Sequence, residues 1–436
     1  MLFLYKEVKM KVFEMKNMIS EGALDERFVS LYDASAVGAQ RERYLSALDS
    51  FAALFGDDRD VNLYSVAGRS ELAGNHTDHN CGCVIAASIN LDIIAVVAKN
   101  GTNTVNLKSE GYDMLSIDFD RYSEPTSQHF GTSASLIAGM CAGFKNKGYS
   151  VGGFDAYCTS SVLRGSGLSS SAAFEDMIGN ILSHEFNGGS VSNVEIAKLA
   201  QYAENVFFGK PCGLMDQVAC AYGGIVAIDF KDTKAPVIEK IDFDLSSAGY
   251  NLCIVDTGGN HADLTDDYAS VPSEMKAVAA LLGQTHLRPC DESEVLASAK
   301  TIREKCGDRA LMRAIHFFRE NKRVGNMKSA LLSGDLDAYF GNVFESGRSS
   351  FCYLQNVYTT KNVSEQGLSL ALCLTEGFMK GKKGAFRVHG GGFAGTIQAY
   401  VRECDVDDYR ALMDSVFGEG ACLVLRVRQD GAIKVN

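Results

Sequence analysis

The sequence predicts an α+β fold, and three observations carry that expectation. Its 436 residues exceed what a single core commonly fills, so two domains are expected. Short apolar, β-branched runs bounded by Gly or Asn are mixed with amphipathic stretches at helical spacing, without the strict alternation of a doubly wound sheet. Only 5 prolines occur, so the connections are short. No repeat or low-complexity tract interrupts the pattern.

The start, MLFLYKEVKMKVFEMKN, interleaves Lys and Glu with apolar residues, which breaks a signal-peptide core and predicts a helix. VNLYSVAG, CVIAASIN and DIIAVVAKN read as three strands. Phe174, Met177, Ile178, Ile181 and Leu182 repeat at helical spacing. SNVEIAKLAQYAENVFFG predicts one helix. Ser192 caps it, Glu195 completes a capping box, Ile196, Leu199, Ala200, Ala203 and Phe207 form its stripe, and Gly209 stops it. GGIVAIDF and YNLCIVDTG read as strands, SEMKAVAALLG and DDYRALMDSVFG as late helices. A boundary is expected near 235, in the polar DFKDTKAPV.

A hydrophobic content of 46% with 22% charged residues is that of an ordinary globular protein. No run approaches the ~18 uncharged apolar residues of a membrane span, so no membrane role is expected. The net charge of −12 repels phosphate backbones and argues against nucleic acid. The 13 cysteines include no C-x-x-C pair and no signal peptide precedes them, so reduced thiols and a cytoplasmic location are expected.

Two stretches carry chemistry. In SVLRGSGLSSSAAFEDMIGNIL, Gly165 and Gly167 let the backbone approach a ligand, Ser169, Ser170 and Ser171 supply hydroxyls, and a helix follows at once. A helix N-terminus opened by such a loop gathers N–H donors and a positive dipole end, which makes an anion site; the bland alternative is a serine-capped helix after a turn. AGNHTDHNCGC packs two His, one Asp and two Cys into a short turn. It can grip a metal or a ligand that needs many hydrogen bonds in a small space, and it lacks the H-x-x-x-H spacing of a helical zinc site.

GSGLSSSA resembles the phosphate-binding motif P-x-G-x-G-L-S-S-S-A of the GHMP kinases, with Leu163 in the proline position. GRSELAGNHTDHN, from Gly68, resembles the galactokinase signature G-R-x-N-L-I-G-E-H-T-D-Y-N. PCGLMDQVACAYGG and RVHGGGFAGTIQAYV are similar to two further motifs of that group. The resemblance runs from residue 68 to 401 and leaves residues before about Gln40 outside it.

The resemblance implies a two-domain α+β fold with the active site in the cleft between domains. The expected division is an N-terminal extension over 1–38, an N-terminal kinase domain over 39–235 and a C-terminal one over 236–436. It implies ATP and Mg²⁺, with the phosphates on Gly165, Ser166, Gly167, Leu168, Ser169, Ser170 and Ser171. Ser171 and Glu204 become the metal ligands, Asp216 the proton acceptor, and Arg69 the fixed charge beside it. A sugar would be held by Asn75, His76, Thr77, Asp78, Gly213 and Tyr268. The implied reaction makes a sugar 1-phosphate from galactose. A kinase for another galactose-like sugar or a catalytically silent sugar sensor stays open, as does a zinc hydrolase built on the His/Asp/Cys turn. A monomer is expected, with a dimer through the amphipathic extension as the other arrangement; that extension is expected to be dispensable for chemistry.

Three departures from the signature bear on the sugar. Asn75 stands where galactokinases have Glu, Glu71 where they have Asn, and His79 where they have Tyr. An amide at 75 is neutral and donates as well as accepts, so a relaxed preference at the C6 end of the sugar is expected.

Overall fold

The computed structural model describes residues 10–162, 167–210, 212–259 and 264–436. The chain opens with helices α1 (Val12–Ser20), α2 (Asp25–Tyr32) and α3 (Val37–Phe55). Strands β1 (Asn62–Ala73), β2 (Cys83–Lys99), β3 (Thr104–Ser109), β4 (Met114–Asp118), β5 (Phe154–Ser160), β6 (Ile225–Asp229) and β7 (Val237–Ile241) follow. With β12 (Ala432–Lys434) they form an eight-stranded sheet of order β12-β1-β2-β5-β3-β4, with β6 on β2 and β7 on β6. A second sheet orders β8 (Tyr250–Asp256), β9 (Ala385–Val388), β10 (Thr396–Arg402) and β11 (Cys422–Leu425) as β11-β8-β10-β9. The mixture is α+β, as expected. The last strand returns from the second half of the chain to pair with β1, Tyr64 opposite Lys434.

Strand β2 organises the first half. CVIAASIN and DIIAVVAKN, expected as two strands, form one of 17 residues. The half-buried Asn90–Leu91 step does not end it, because the partner changes there: Cys83–Ala87 pair with β6 and Ile93–Lys99 with β5. Side chains alternate across a strand. Accordingly Ile93, Ala95 and Val97 enter the main core, while Ile94, Val96 and Ala98 enter a second core with Val12, Met15, Ile19, Phe28, Leu31 and Phe51. A strand covered on both faces reads as a continuous apolar run. Helices α1–α3 cover one face; α4 (Ser133–Asn146), α5 (Ser170–Asn187), α6 (Asn193–Tyr202) and α7 (Met215–Tyr222) cover the other.

The apolar face of α1, Val12, Met15 and Ile19, is therefore buried against β2 and its neighbouring helices. Residues 1–9, part of the stretch expected as a helix, lie outside the described residues. Asp92, wholly buried on β2, joins three distant segments: it accepts from Tyr32 on α2, Arg43 on α3 (2.6 Å) and Arg428 near the C-terminus (3.1 Å).

The helix expected over 192–209 is α6, continued by a π turn, Ala203–Phe208, and closed by Gly209 at φ +79°. Ser192 accepts from the Glu195 backbone N–H at 3.3 Å, as its cap position predicts. The second half adds α8 (Thr265–Leu281), α9 (Glu292–Ala297), α10 (Ala299–Cys306), α11 (Asp308–Ser333), α12 (Leu336–Ser349), α13 (Gly367–Met379) and α14 (Val406–Phe417). SEMKAVAALLG is the last part of α8. No helix among the described residues is long and apolar enough to cross a membrane.

Candidate active site

Arg69 lies on β1 and is 7% exposed. Its Nε donates to Asp216 Oδ1 at 2.8 Å, NH2 reaches the same oxygen at 2.8 Å, and NH1 donates to the Gly167 carbonyl. Asp216 sits in the first turn of α7, and its second oxygen accepts from Ser169 Oγ at 2.5 Å. Burial raises the Asp216 carboxyl, but the Arg69 guanidinium and the Ser169 hydroxyl outweigh it and hold the group below the usual carboxylate range. Arg69, Asp216 and the end of the glycine–serine loop are thus one hydrogen-bonded unit.

That loop enters α5 through positive φ at Gly167 (+70°) and Ser169 (+58°). Leu168 is buried and its carbonyl accepts from the Arg69 backbone N–H at 3.1 Å. Ser170 and Ser171 open the helix, and Ser171 is exposed. Gly165 and Ser166, and with them Leu163, lie outside the described residues.

Glu204 occupies the π turn, 4% exposed. Its Oε1 meets Lys210 Nζ at 3.2 Å and its Oε2 accepts from Gln217 at 2.9 Å. Gln217 also donates to Glu175 Oε2 at 3.3 Å, and Glu175 Oε1 is buried with no hydrogen-bond partner among the described residues. Burial first, then the Glu204 charge, pushes Glu175 well above the carboxylate range. The sequence reasoning missed Lys210 and Gln217. Lys210 was visible as a cation six residues after Glu204, but the π turn that brings it back was not.

The turn after β1 is built on Gly74, at φ +97°, and on His76, at φ +59°. Thr77 spends its hydroxyl inside the turn, on the carbonyls of Gly74 (2.9 Å) and Cys83 (2.7 Å), and is fully buried. Asn75 is also fully buried. Its Nδ2 donates to the Gly390 carbonyl and, at 3.4 Å, to Glu71; its Oδ1 accepts from Asn356 (2.8 Å) and Ser350 (3.2 Å). Its amide is engaged by protein on both atoms, which leaves no free group to read a C6 substituent.

His76 Nε2 bonds to the Gly391 carbonyl at 2.9 Å. A carbonyl only accepts, so Nε2 carries the proton and Nδ1 is left as an acceptor. Burial pushes the ring down to about 4, so it is neutral near pH 7. Asp78 Oδ1 accepts from the His79 N–H at 2.9 Å, and a Cβ on Gly213 would lie 2.8 Å from Asp78 Oδ2. A side chain there would push the Asp78 carboxylate aside. The Tyr268 ring on α8 lies 5.3 Å from the His76 ring.

A third glycine run, Gly390 to Gly392 between β9 and β10, closes the site from the second sheet. His389 bridges Ser70 (3.1 Å) and Thr396 (2.8 Å), and burial first, then Arg69 and Arg387, keep it neutral. A Cβ on Gly391 would fall 1.4 Å from the Tyr268 hydroxyl. Gly391→Ala is therefore expected to drive Tyr268 out of its place. A tenfold or larger fall in affinity for a ligand held at Tyr268 is the order expected for a lost ring contact and hydroxyl; isothermal titration checks it, and unchanged affinity would contradict the geometry.

Comparison with known proteins bears on this arrangement. Residues 49–99 match the family described as the galactokinase galactose-binding signature, and residues 135–224 match the GHMP kinases N terminal domain. The chain is 28% identical over 382 residues to a galactokinase of Streptomyces coelicolor, covering 87% of this chain and 94% of that one. It is 29% identical over 394 residues to a galactokinase of Lactococcus lactis subsp. lactis, covering 88% and 94%. The crystal structure of Lactococcus lactis galactokinase complexed with galactose superposes with a TM-score of 0.75 at 23% identity, over 90% of this chain and 100% of that one. A mevalonate kinase follows at 0.59 and 14% identity, over 84% and 98%. These two likenesses establish the fold, and the two family matches span the glycine–serine loop and the turn after β1. The two family matches and the curated galactokinase relatives together support a GHMP-family sugar kinase, similar to the galactokinases.

Proposed function

We propose that the protein transfers the γ-phosphoryl group of ATP to the anomeric hydroxyl of galactose, giving ADP and galactose 1-phosphate, in the cytoplasm. The observation that carries this reading is the Arg69–Asp216–Ser169 unit, which sets an ionised carboxylate against the end of an anion-binding loop. The sugar oxygen attacks phosphorus, the bond from phosphorus to the β-phosphate oxygen breaks, and the hydroxyl proton passes to Asp216. Arg69 supplies fixed positive charge as negative charge redistributes. The N–H groups of residues 165–171 hold the phosphates. His76, Asp78, Gly213 and Tyr268 contact the sugar, while Asn75 and Thr77 act by holding the turn in shape, since their polar atoms are engaged within the protein.

Ser171 and Glu204 would hold Mg²⁺ together with phosphate oxygens and water, a hard-oxygen set that suits this ion. The fit rests on two buried carboxylates side by side, Glu204 and Glu175, which share Gln217 and of which Glu175 Oε1 has no hydrogen-bond partner among the described residues. When bound, the ion neutralises charge on the phosphate oxygens. Glu204→Gln and Ser171→Ala are each expected to raise the magnesium concentration needed for half-maximal rate, leaving the KM for sugar unchanged. Magnesium titrations at fixed ATP read this, and a shift confined to the sugar KM would contradict the assignment.

The test of the function is ADP release from a panel of monosaccharides. Galactose, galacturonate, fucose and arabinose separate an ordinary galactose kinase from one for a sugar altered at C6. Binding without turnover on every member would identify a sensor instead.

A further inference from the structure

Glu71 was noted in the sequence only as a departure from a motif, and the structure gives it partners. Residues 69–71 of β1 pair in unbroken register with Ser88–Ala86 of β2, so Arg69 and Glu71 present their side chains to the same face of the strand. Arg69 uses that face to reach Asp216. Glu71, 4% exposed, uses it to meet Arg387 NH2 at 2.6 Å and Asn75 Nδ2 at 3.4 Å. Arg387 is wholly buried on β9, its NH1 donates to Ser346 Oγ at 3.2 Å, and its Nε has no partner among the described residues. The same pocket holds Glu320, paired with Arg323 at 2.7 Å and joined to Ser346 at 2.6 Å. Two carboxylates and two guanidinium groups balance, and Asn75 adds no charge.

The galactokinase signature has Asn where this chain has Glu71 and Glu where it has Asn75. The two departures are reciprocal, and their side chains touch. We propose that Glu71 is a positioning residue for sugar binding: clamped by Arg387, it fixes the Asn75 amide, and with it the turn carrying His76 and Asp78, against the third glycine run. The inference rests on the sugar-kinase reading above and deepens it.

Charge decides what each change does. Glu71→Asn leaves Arg387 buried without a counter-ion. Asn75→Glu brings a third carboxylate into a pocket with two cations. The reciprocal double variant, Glu71→Asn with Asn75→Glu, restores one carboxylate for Arg387 and one amide beside it. Glu71→Gln keeps the shape and the hydrogen bond to Asn75 but not the charge.

The experiment is a double-mutant cycle on the full-length chain, read by the KM and kcat for galactose and by the melting temperature without sugar. Each single variant is expected to raise the KM about tenfold, Glu71→Gln less, with kcat within about threefold of wild type, and the double variant to return within about threefold on both. A double variant as poor as the product of the singles overturns the proposal. So does a cycle that restores melting temperature but not KM, since that is a purely structural pair. If the wild type turns over no sugar, the functional reading fails, and the melting-temperature cycle still tests the clamp: additivity there overturns it.

Discussion

Asp216→Asn is expected to fold, to bind nucleotide and sugar, and to lose about 10²–10⁴ in kcat, the range for a positioned proton acceptor. Asparagine is the informative replacement because it keeps an oxygen for the Ser169 hydroxyl and fills the same space beside Arg69. The wild-type pH profile adds a second reading. The Asp216 carboxyl is raised by burial but lowered further by Arg69 and Ser169, so it stays ionised until the pH falls below the ordinary carboxylate range. The proposed acceptor is thus ionised throughout the neutral range, and Asp216 is expected to contribute no acid limb there. A carboxylate so stabilised is a weak base, so proton transfer is expected to accompany phosphoryl transfer rather than precede it. Single-turnover ADP release measures the loss, and wild-type turnover in the variant would sink the assignment.

The site was legible where chemistry depends on local pattern. A glycine–serine loop entering a helix and a compact turn of short polar residues announce themselves by spacing. What stayed hidden depends on side chains far apart in sequence. Asn75 was visible as a departure, but its acceptor oxygen meets Ser350 and Asn356, and its backbone carbonyl meets His316 Nε2 at 3.0 Å. Those partners lie on α11 and in the segment after α12, and no periodicity near residue 75 could foretell them. A reading by charge alone made Asn75 a sensor of C6; the surrounding hydrogen bonds support the brace role proposed above, and Asn75→Glu becomes a test of pocket neutrality. Helix and strand types followed from period. The continuity of β2 did not, because a polar step ends a strand only when no new partner takes over.

The N-terminal helices show the same limit. An amphipathic pattern says that a face is apolar, not what covers it. The sequence alone suggested an extension dispensable for chemistry; the packing makes it part of what holds the fold. Val12, Met15, Ile19, Phe28 and Leu31 are at most 1% exposed, and they share a core with Ile94, Val96 and Ala98 of β2. Burying side chains of this size stabilises by about 1.5–3 kcal/mol each, so the group contributes on the order of 10 kcal/mol before its ordering entropy is subtracted. That is comparable with the ~5–15 kcal/mol by which whole domains are stable. Deletion of residues 1–36 would uncover one face of the central strand and take Tyr32 from Asp92, whose charge is shared by Arg43 and Arg428. The truncated chain is expected to lose cooperative unfolding and to aggregate on expression, although every residue assigned to the chemistry is retained. Thermal melts by circular dichroism, with ADP release on the soluble fraction, decide it. A truncated chain that melts within a few degrees of the full-length protein and turns over at the same rate would show that the second core is an ornament on the sheet rather than part of what folds it.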